Sequence, residues 1–381
     1  MDIQKESLEL HKKLRGKLEI RSKFPLKTKE DFSLAYTPGV AEPCKEIAKD
    51  KTKIYDYTMK GNCVAVISDG SAVLGLGNIG AEAALPVMEG KSIIFKELAG
   101  IDAFPICLKS RDVKTNIETI KNISVVFGGI NLEDFKAPEC FVLEAALQDL
   151  GIPVMHDDQH GTAVVVLAGL INSLKVREST IEDVKVVING AGSAGIAITK
   201  LLLKYGFKNI TLVDSKGIIY DGRESLTKEK IEISKLTNFD LLKGDLKIAL
   251  KGADIFIGVS KANLLSEEDI KLMNRPIIFA LANPIPEIMP DIAKKAGAFI
   301  VATGRSDFPN QVNNSLAFPG IFRGALDIKA KRITDDMKLA AAVALASIIK
   351  KPTIENILPY SLDKTIVPAV SSAVKNAYKS G

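Results

Sequence analysis

The stretch Gly190-Ala191-Gly192-Ser193-Ala194-Gly195 directly follows the apolar run 184–188 and opens a pattern of apolar residues at helical spacing over 194–203. A GxGxxG in this strand–turn–helix setting constrains the chain more than any other feature in it. The first glycine allows the tight turn, the second lets main chain approach a pyrophosphate, and the third lets helix pack on strand. The helix N–H groups then face the negative charge. Asp214 follows the next β-branched run, 210–213, where a carboxylate would hold a ribose 2′-hydroxyl. That carboxylate favours NAD over NADP, because a 2′-phosphate would meet it, whereas Lys216 two residues on works in the other direction. Further runs at 255–259, 277–281 and 299–302 and a helical pattern over 334–349 continue the alternation. Strands spaced by helices specify a parallel, doubly wound sheet.

The first half alternates less regularly, with strand-like runs at 64–67, 103–108, 125–127 and 153–155. The expected fold class is therefore α/β: an N-terminal α/β catalytic domain followed by a Rossmann-type, doubly wound parallel-sheet domain. The boundary is expected near 160, giving a catalytic and metal-binding part over 1–160 and a dinucleotide-binding part over 161–381. An apolar helix over 161–174 leads into the charged segment 175–183, which reads as the hinge. A chain of 381 residues suits two to three domains.

Composition excludes several classes of function. The apolar stretch 162–174 is interrupted by Gly169 and Asn172 and is too short to span a bilayer, so no membrane association is expected. The first twenty residues alternate charge with leucine and lack the apolar core of a signal peptide, which makes the cytoplasm the expected compartment. The 51 basic and 46 acidic residues are spread along the chain and leave a net charge of +5. That balance does not make a nucleic-acid arm and suits anionic small molecules. Cys44, Cys63, Cys107 and Cys140 stand far apart, as buried reduced thiols do.

Chemistry should then reside in the first half, where four clusters stand out. Tyr36-Thr37-Pro38-Gly39-Val40 holds a tyrosine on a Pro-Gly turn, although a buried structural tyrosine reads the same way. Met88-Glu89-Gly90-Lys91 places a lysine after a glycine and ahead of an apolar run; alone, it reads as a surface lysine. Gly128-Gly129-Ile130-Asn131-Leu132-Glu133-Asp134 sets two carboxylates after a strand, a pattern shared with helix N-termini. His156-Asp157-Asp158-Gln159-His160-Gly161 follows the run 153–155. Glu133, Asp134 and Asp158 converge if the strands before them are parallel neighbours, and an all-oxygen site of that kind suits Mg²⁺ or Mn²⁺. The i,i+4 spacing of His156 and His160 leaves a zinc reading open, without the glutamate placement or thiol that would support it.

In their order along the chain, Tyr36-Thr37-Pro38-Gly39-Val40-Ala41, Val73-Leu74-Gly75-Leu76-Gly77-Asn78, Glu89-Gly90-Lys91, Ala99-Gly100-Ile101-Asp102, the clusters at 131–134 and 157–163, Val213-Asp214-Ser215-Lys216-Gly217, Leu281-Ala282-Asn283-Pro284 and Asn313-Asn314 resemble malic enzyme in its short prokaryotic form. The resemblance runs from about residue 15 to 375. It implies oxidative decarboxylation of malate to pyruvate and CO₂ with NAD or NADP and Mg²⁺ or Mn²⁺, in a homodimer. Family roles map onto Lys91 as general base and Tyr36 as general acid. Glu133, Asp134 and Asp158 map as metal ligands supported by Asp157. Asn283 and Asn314 map onto contacts with the substrate carboxylate, with Asn313 close by. Larger members carry an arginine just before the Leu-Gly-Leu-Gly segment, whereas this chain has Ser71-Ala72-Val73, and the acyltransferase-like extension that some bacterial members append is not expected here.

For Lys91 to accept the hydroxyl proton it must be neutral, which requires its pKa to fall by about 2–3 units through burial and a nearby cation. Two other functions remain: a hydroxy- or amino-acid dehydrogenase without decarboxylation, and an NAD(H)-sensing regulator in which the carboxylates at 133, 134 and 158 have no task.

Overall fold

A computed structural model describes residues 3–73 and 75–379, so Leu74 of the Leu-Gly-Leu-Gly motif and both chain ends lie outside the described residues. Two sheets organise them. The first contains β1 (Cys63–Ser68), β2 (Asp102–Cys107), β3 (Gly129–Leu132) and β4 (Val154–His156), all parallel in the order β2-β1-β3-β4. The second contains β5 (Val186–Asn189), β6 (Ile210–Asp214), β7 (Gly217–Ile218), β8 (Ile255–Gly258), β9 (Ile277–Ala280) and β10 (Ile300–Thr303), in the order β10-β9-β8-β5-β6-β7. Only the short β7 runs antiparallel. In each sheet the chain leaves a central strand first to one side and then to the other, between β1 and β3 and between β5 and β8. Ligands of open α/β sheets bind at such switch points, beyond the C-terminal strand ends.

Three expectations change. Residues 125–127 do not form a strand: Ser124–Val126 is a 3₁₀ turn, and the strand begins at Gly129. The three carbonyls of Ser124, Val125 and Phe127 instead accept the buried Lys60 ammonium at 3.2, 3.0 and 2.6 Å, which turns them away from the sheet. Nor is Lys91 the surface lysine its cluster suggests when read alone, since it lies buried inside the long helix Ala81–Ala99. The segment 175–183 is not a loose hinge. The helix Asp157–Arg177 runs through position 160 and reaches into that segment. Arg177 ends it in a buried ion pair with Asp254 at 2.5 Å and also donates to the carbonyls of Asn274 and Arg275.

That helix is apolar on nearly every side and buried along most of its length, the pattern of an element enclosed by its own protein. Its residues join one continuous apolar core with β1, with β5 and β6, and with the late helices Phe318–Asp327, Asp335–Ile348 and Ile366–Ala377. Phe318 and Phe322 pack on Phe95 of the Ala81–Ala99 helix at ring-centroid distances of 4.7 and 5.4 Å, so the end of the chain returns to the first sheet. No helix among the described residues is long and apolar enough to cross a membrane.

If Arg177 and Asp254 lock this junction, Asp254→Ala strands a buried guanidinium and lowers the unfolding free energy by about 3–5 kcal/mol. Urea titration monitored by circular dichroism measures this. A loss below about 1 kcal/mol would show that the pair does not hold the segment.

Candidate active site

β3 and β4 are hydrogen-bonded neighbours with Leu132 opposite His156. The residues that follow them therefore emerge side by side: Glu133 and Asp134 from β3, Asp157 and Asp158 from β4 on the first turn of the Asp157–Arg177 helix. Carboxylates on a first turn also face the positive end of the helix dipole. Lys91 reaches them from the Ala81–Ala99 helix. Its ammonium pairs with Asp157 and, at 2.8 Å, with Glu133, and its Nζ lies 4.1 Å from the ring centre of Phe318. Asn131 donates to the other Glu133 oxygen at 2.8 Å, and the Asp134 main-chain N–H donates to Asp158 at 2.9 Å. Lys91, Glu133, Asp134 and Asp157 are buried, while the Asp158 side chain keeps 31% of its surface open.

The charge balance of this cluster decides its chemistry. Burial pushes the Glu133 and Asp157 carboxyls up to about 7, against the pull of Lys91, and each is raised further by a neighbouring carboxylate. Burial likewise pushes Asp158 up to about 6, with Asp157 adding to it. One ammonium does not neutralise this many carboxylates. Burial also works against the Lys91 ammonium, but Asp157 and Glu133 outweigh it and hold the pKa above that of free lysine. The expected neutral lysine is therefore not what these partners produce on their own; Lys91 stands as an ammonium.

The Asn314 side chain hydrogen-bonds Asp157. Asn313 instead caps the 3₁₀ turn Asn314–Leu316, its side chain accepting the Ser315 N–H at 2.9 Å. Asn283 lies on an exposed loop, and its carbonyl lies so close to Gly75 that a Cβ there would overlap it. Tyr36 is not packed into the cluster. It is 62% exposed, with its ring edge-on to Phe32. Ala72, near the place of the missing arginine, is exposed and donates its main-chain N–H to the Asp134 carbonyl.

The zinc reading loses one of its two histidines, because His160 is engaged elsewhere. His160 Nε2 bonds Glu144 at 3.0 Å and its Nδ1 accepts from Lys338 at 3.1 Å, so neither nitrogen is left for an ion. His156 is fully buried against Phe135, and burial lowers its pKa to about 4.

At the second sheet, Gly190 takes φ 118°, and a Cβ there would lie 2.6 Å from the Val259 carbonyl. A Cβ on Gly195 would overlap the Gly190 carbonyl, whereas one on Gly192 would meet nothing within 4 Å. The turn is thus closed towards the protein and open outward. Ser193 and Ala194 begin the helix Ser193–Tyr205, whose first turn has no side-chain cap. Its free N–H groups and the bare glycine edge suit a pyrophosphate.

Asp214 ends β6 with one oxygen on the Lys216 main-chain N–H at 2.9 Å and the other on Arg223 at 2.5 Å and Lys230 at 2.7 Å. Burial works against its charge, but Arg223 and Lys230 hold the carboxyl down to about 2. The Lys216 side chain, expected to offset Asp214, leaves that task to these two cations. Arg223, Lys230 and Glu144 carried no signal in the sequence, because their partners lie on other elements. Glu287 was equally silent: it is buried, its carboxylate accepts the N–H groups of Ser260 and Ala282, and it thereby fixes the loop that carries Asn283.

Comparison with known proteins agrees with this geometry. The malic enzyme N-terminal domain profile matches residues 15–148, and the malic enzyme NAD-binding domain profile matches residues 159–377. The bifunctional malic/malolactic enzyme of Bacillus subtilis (strain 168) is 56% identical over 382 aligned positions, covering 99% of this chain and 93% of that protein. The NADP-dependent malic enzyme of Halomonas elongata is 46% identical, covering 97% of this chain and 92% of that one. The crystal structure of the NAD-dependent malic enzyme of Thermotoga maritima superposes with a TM-score of 0.94 at 52% identity, over 97% of this chain and 98% of that one. With both domains matched and the switch points of both sheets lined as described, this chain belongs to the malic enzyme family.

Proposed function

We propose that this protein oxidises and decarboxylates malate to pyruvate and CO₂ while reducing a nicotinamide dinucleotide, with a divalent cation held by Glu133, Asp134 and Asp158 and supported by Asp157. The observation that carries this reading is the buried cluster of carboxylates gathered around a single ammonium. As the chain stands, no three His, Cys, Asp or Glu side chains among the described residues close round an ion. The donor set nevertheless fits one. Its oxygens suit Mg²⁺ or Mn²⁺, and carboxyls pushed up to about 6 or 7 mark a place short of positive charge. A bound cation supplies Lewis-acid stabilisation of the charge that develops on the substrate oxygen as CO₂ leaves.

The remaining steps belong to the chain's own side chains. Lys91 removes the hydroxyl proton, which it can do only once Glu133 and Asp157 no longer hold it as an ammonium; engagement of Glu133 elsewhere weakens that hold. Asp157 and Asn314 keep Lys91 and the first helical turn in register, and Phe318 keeps water from the lysine. Asn283 and Asn314 contact the substrate carboxylate, with Asn313 positioned as the cap beneath Asn314. Residues 1–160 supply the acid–base and carboxylate groups, and 161–381 supply the dinucleotide cradle of Gly190, Gly192, Ser193, Ala194 and Gly195.

Tyr36 supplies the proton to the product carbanion only if its exposed hydroxyl is brought to the cluster. The helices Ile3–Leu14, Lys29–Ala35 and Ala41–Lys49 contain no buried residue, and Leu8, Leu14, Phe32, Leu34 and Tyr36 all stand exposed. We infer that a second copy of the chain covers this face in a homodimer, since an apolar surface of this kind marks an interaction site.

Asp214, neutralised by Arg223 and Lys230, no longer repels a 2′-phosphate, so both NAD and NADP are accepted. Removing both cations, in Arg223→Ala/Lys230→Ala, restores the repulsion and weakens binding of NADPH roughly ten- to hundredfold while sparing NADH. Fluorescence titration of the two reduced cofactors measures this, and equal losses for both would place the cations away from the 2′ position.

The function itself is tested by incubating the protein with malate, dinucleotide and Mn²⁺ and assaying pyruvate. Chelation should abolish turnover and Mn²⁺ or Mg²⁺ restore it, while Lys91→Ala should cost on the order of 10²–10⁴-fold in kcat with dinucleotide affinity intact. Oxaloacetate as the accumulating product would instead indicate a simple dehydrogenase.

Without a bound cation, Glu133 is easier to protonate in the folded than in the unfolded chain. Its contribution to stability is therefore present at low pH and lost as pH rises through about 7. Glu133→Gln should stabilise the chelated protein at pH 8 by on the order of 1–2 kcal/mol, and the gain should shrink as pH falls towards 5. Denaturant titrations across that range decide it; a gain that grows on acidification would reverse the sign.

A further inference from the structure

A large cavity lies apart from the carboxylate cluster and the dinucleotide turn. It encloses about 940 Å³ between the helices Glu139–Leu147, Asp157–Arg177, Ser193–Tyr205 and Lys228–Ser234 and the start of Asp335–Ile348. None of Lys91, Glu133, Asp157 or Asp158 lines it, nor does any glycine of the dinucleotide turn. Its size lies within the range of small-molecule sites, of roughly 300–1,000 Å³. Phe141, Ile196 and Leu201 make part of its wall apolar, and five cationic side chains share the remainder with four acids.

Most of that charge is already matched. Lys200 faces Glu232 at 3.7 Å, Lys204 faces Asp336 at 3.3 Å, and Lys338 pairs with Asp335 at 2.9 Å. Glu144 is spent on His160, which leaves Glu229 as the one lining acid without an ion-pair partner among the described residues. Lys228 and Arg332 have neither an acidic nor a hydrogen-bonding partner among the described residues. The two cations left without a partner include a guanidinium whose planar fork matches phosphate oxygens.

The same cavity touches a chain of hydrogen bonds that leads to the catalytic carboxylates. Lys338, nine-tenths buried, donates to His160 Nδ1 at 3.1 Å, and His160 Nε2 bonds Glu144 at 3.0 Å. Glu144 accepts the main-chain N–H of His156 at 2.9 Å and the Gln159 side chain at 3.3 Å. It thus holds, from a neighbouring helix, the residue before the turn that begins with Asp157 and Asp158 and a side chain of that turn.

We propose that this cavity binds a phosphate monoester with an apolar body, and that the occupant acts on the catalytic carboxylates through Lys338, His160 and Glu144. The phosphate engages Arg332 and Lys228, and the body lies on Phe141, Ile196 and Leu201. An anion near Lys338 competes with His160 for the ammonium protons and so loosens or shifts the hold of Glu144 on His156 and Gln159. Binding is independent of the reaction proposed above; only the coupling to turnover rests on that reading.

The probe is phenyl phosphate, titrated calorimetrically into the full-length protein with NAD⁺ at saturation so that the dinucleotide cradle is filled. The expected result is saturable binding at one site per chain and none for phenol. In Lys228→Ala/Arg332→Ala the affinity should fall at least about tenfold, equivalent to 1.4 kcal/mol, with turnover in the absence of probe unchanged. Phenyl phosphate should also change the KM for malate or Mn²⁺ in the wild type and leave it unchanged in Lys338→Met. Absent or non-saturable binding, or binding that the double variant retains, overturns the site. Benzoate binding as tightly as phenyl phosphate overturns the phosphate class. Binding lost at high protein concentration and regained on dilution assigns the groove to a second copy of the chain and overturns the proposal. Intact binding with an unmoved KM overturns the coupling. A protein inactive on malate would still report the binding arm, so failure of the proposed reaction is distinguishable from failure of the site.

Discussion

A single buried ammonium among several carboxylates is the constraint on which the rest of this structure depends. Lys91 is held between Asp157 and Glu133 on elements that come from three separate parts of the chain. Burying such charges is costly, and the cost is met only when geometry is good and the remaining lone pairs are satisfied. The surrounding structure serves that end. Asn131 turns Glu133, the Asp134 main chain holds Asp158, Glu144 holds the turn below, and Phe318 closes over the lysine from the far end of the sequence. The cluster still lacks positive charge, which is why its carboxyls resist ionisation and why it is suited to a hard cation.

The two halves of the molecule are tied by the helix that carries Asp157 and Asp158. It starts at the C-terminal end of β4 and ends in the buried pair of Arg177 with Asp254, beside β8 in the second sheet. Carboxylates at one end and a packed, ion-paired anchor at the other make it a rigid strut rather than a linker. Positioning of a substrate against a dinucleotide depends on such rigidity, because a reacting geometry displaced by about 1 Å can cost on the order of 10²-fold in rate.

Much of this was legible in the residues, and the failures have specific causes. The dinucleotide turn could be read because its glycines meet strictly local demands: the positive φ of Gly190 and the contact of Gly195 with the Gly190 carbonyl arise within six residues. The adjacency of Glu133 and Asp158 was legible only on the condition that the strands before them are parallel neighbours, a condition that β3 and β4 meet. The strand at 125–127 was misplaced because Val125, Val126 and Phe127 have β-favouring side chains, whereas the carbonyls around them serve a buried lysine 64 to 67 residues away. Lys91 alone read as a surface lysine because its partners Asp157, Glu133 and Phe318 all lie on other elements, and no local pattern announces them.

What the sequence determined by itself is the inventory and its local order: strand followed by glycine turn and helix, carboxylates after strand runs, and enough motifs in series to indicate the family. Those features depend on contacts between residues a few positions apart. Only the tertiary structure decided the charge state of Lys91, which depends on Asp157 and Glu133 outweighing burial, and the neutralisation of Asp214 by Arg223 and Lys230 rather than by the Lys216 side chain. It also decided that His160 belongs to Glu144 and Lys338 instead of to a metal. Electrostatic energies depend on distance and burial in space, and no spacing along the chain encodes either.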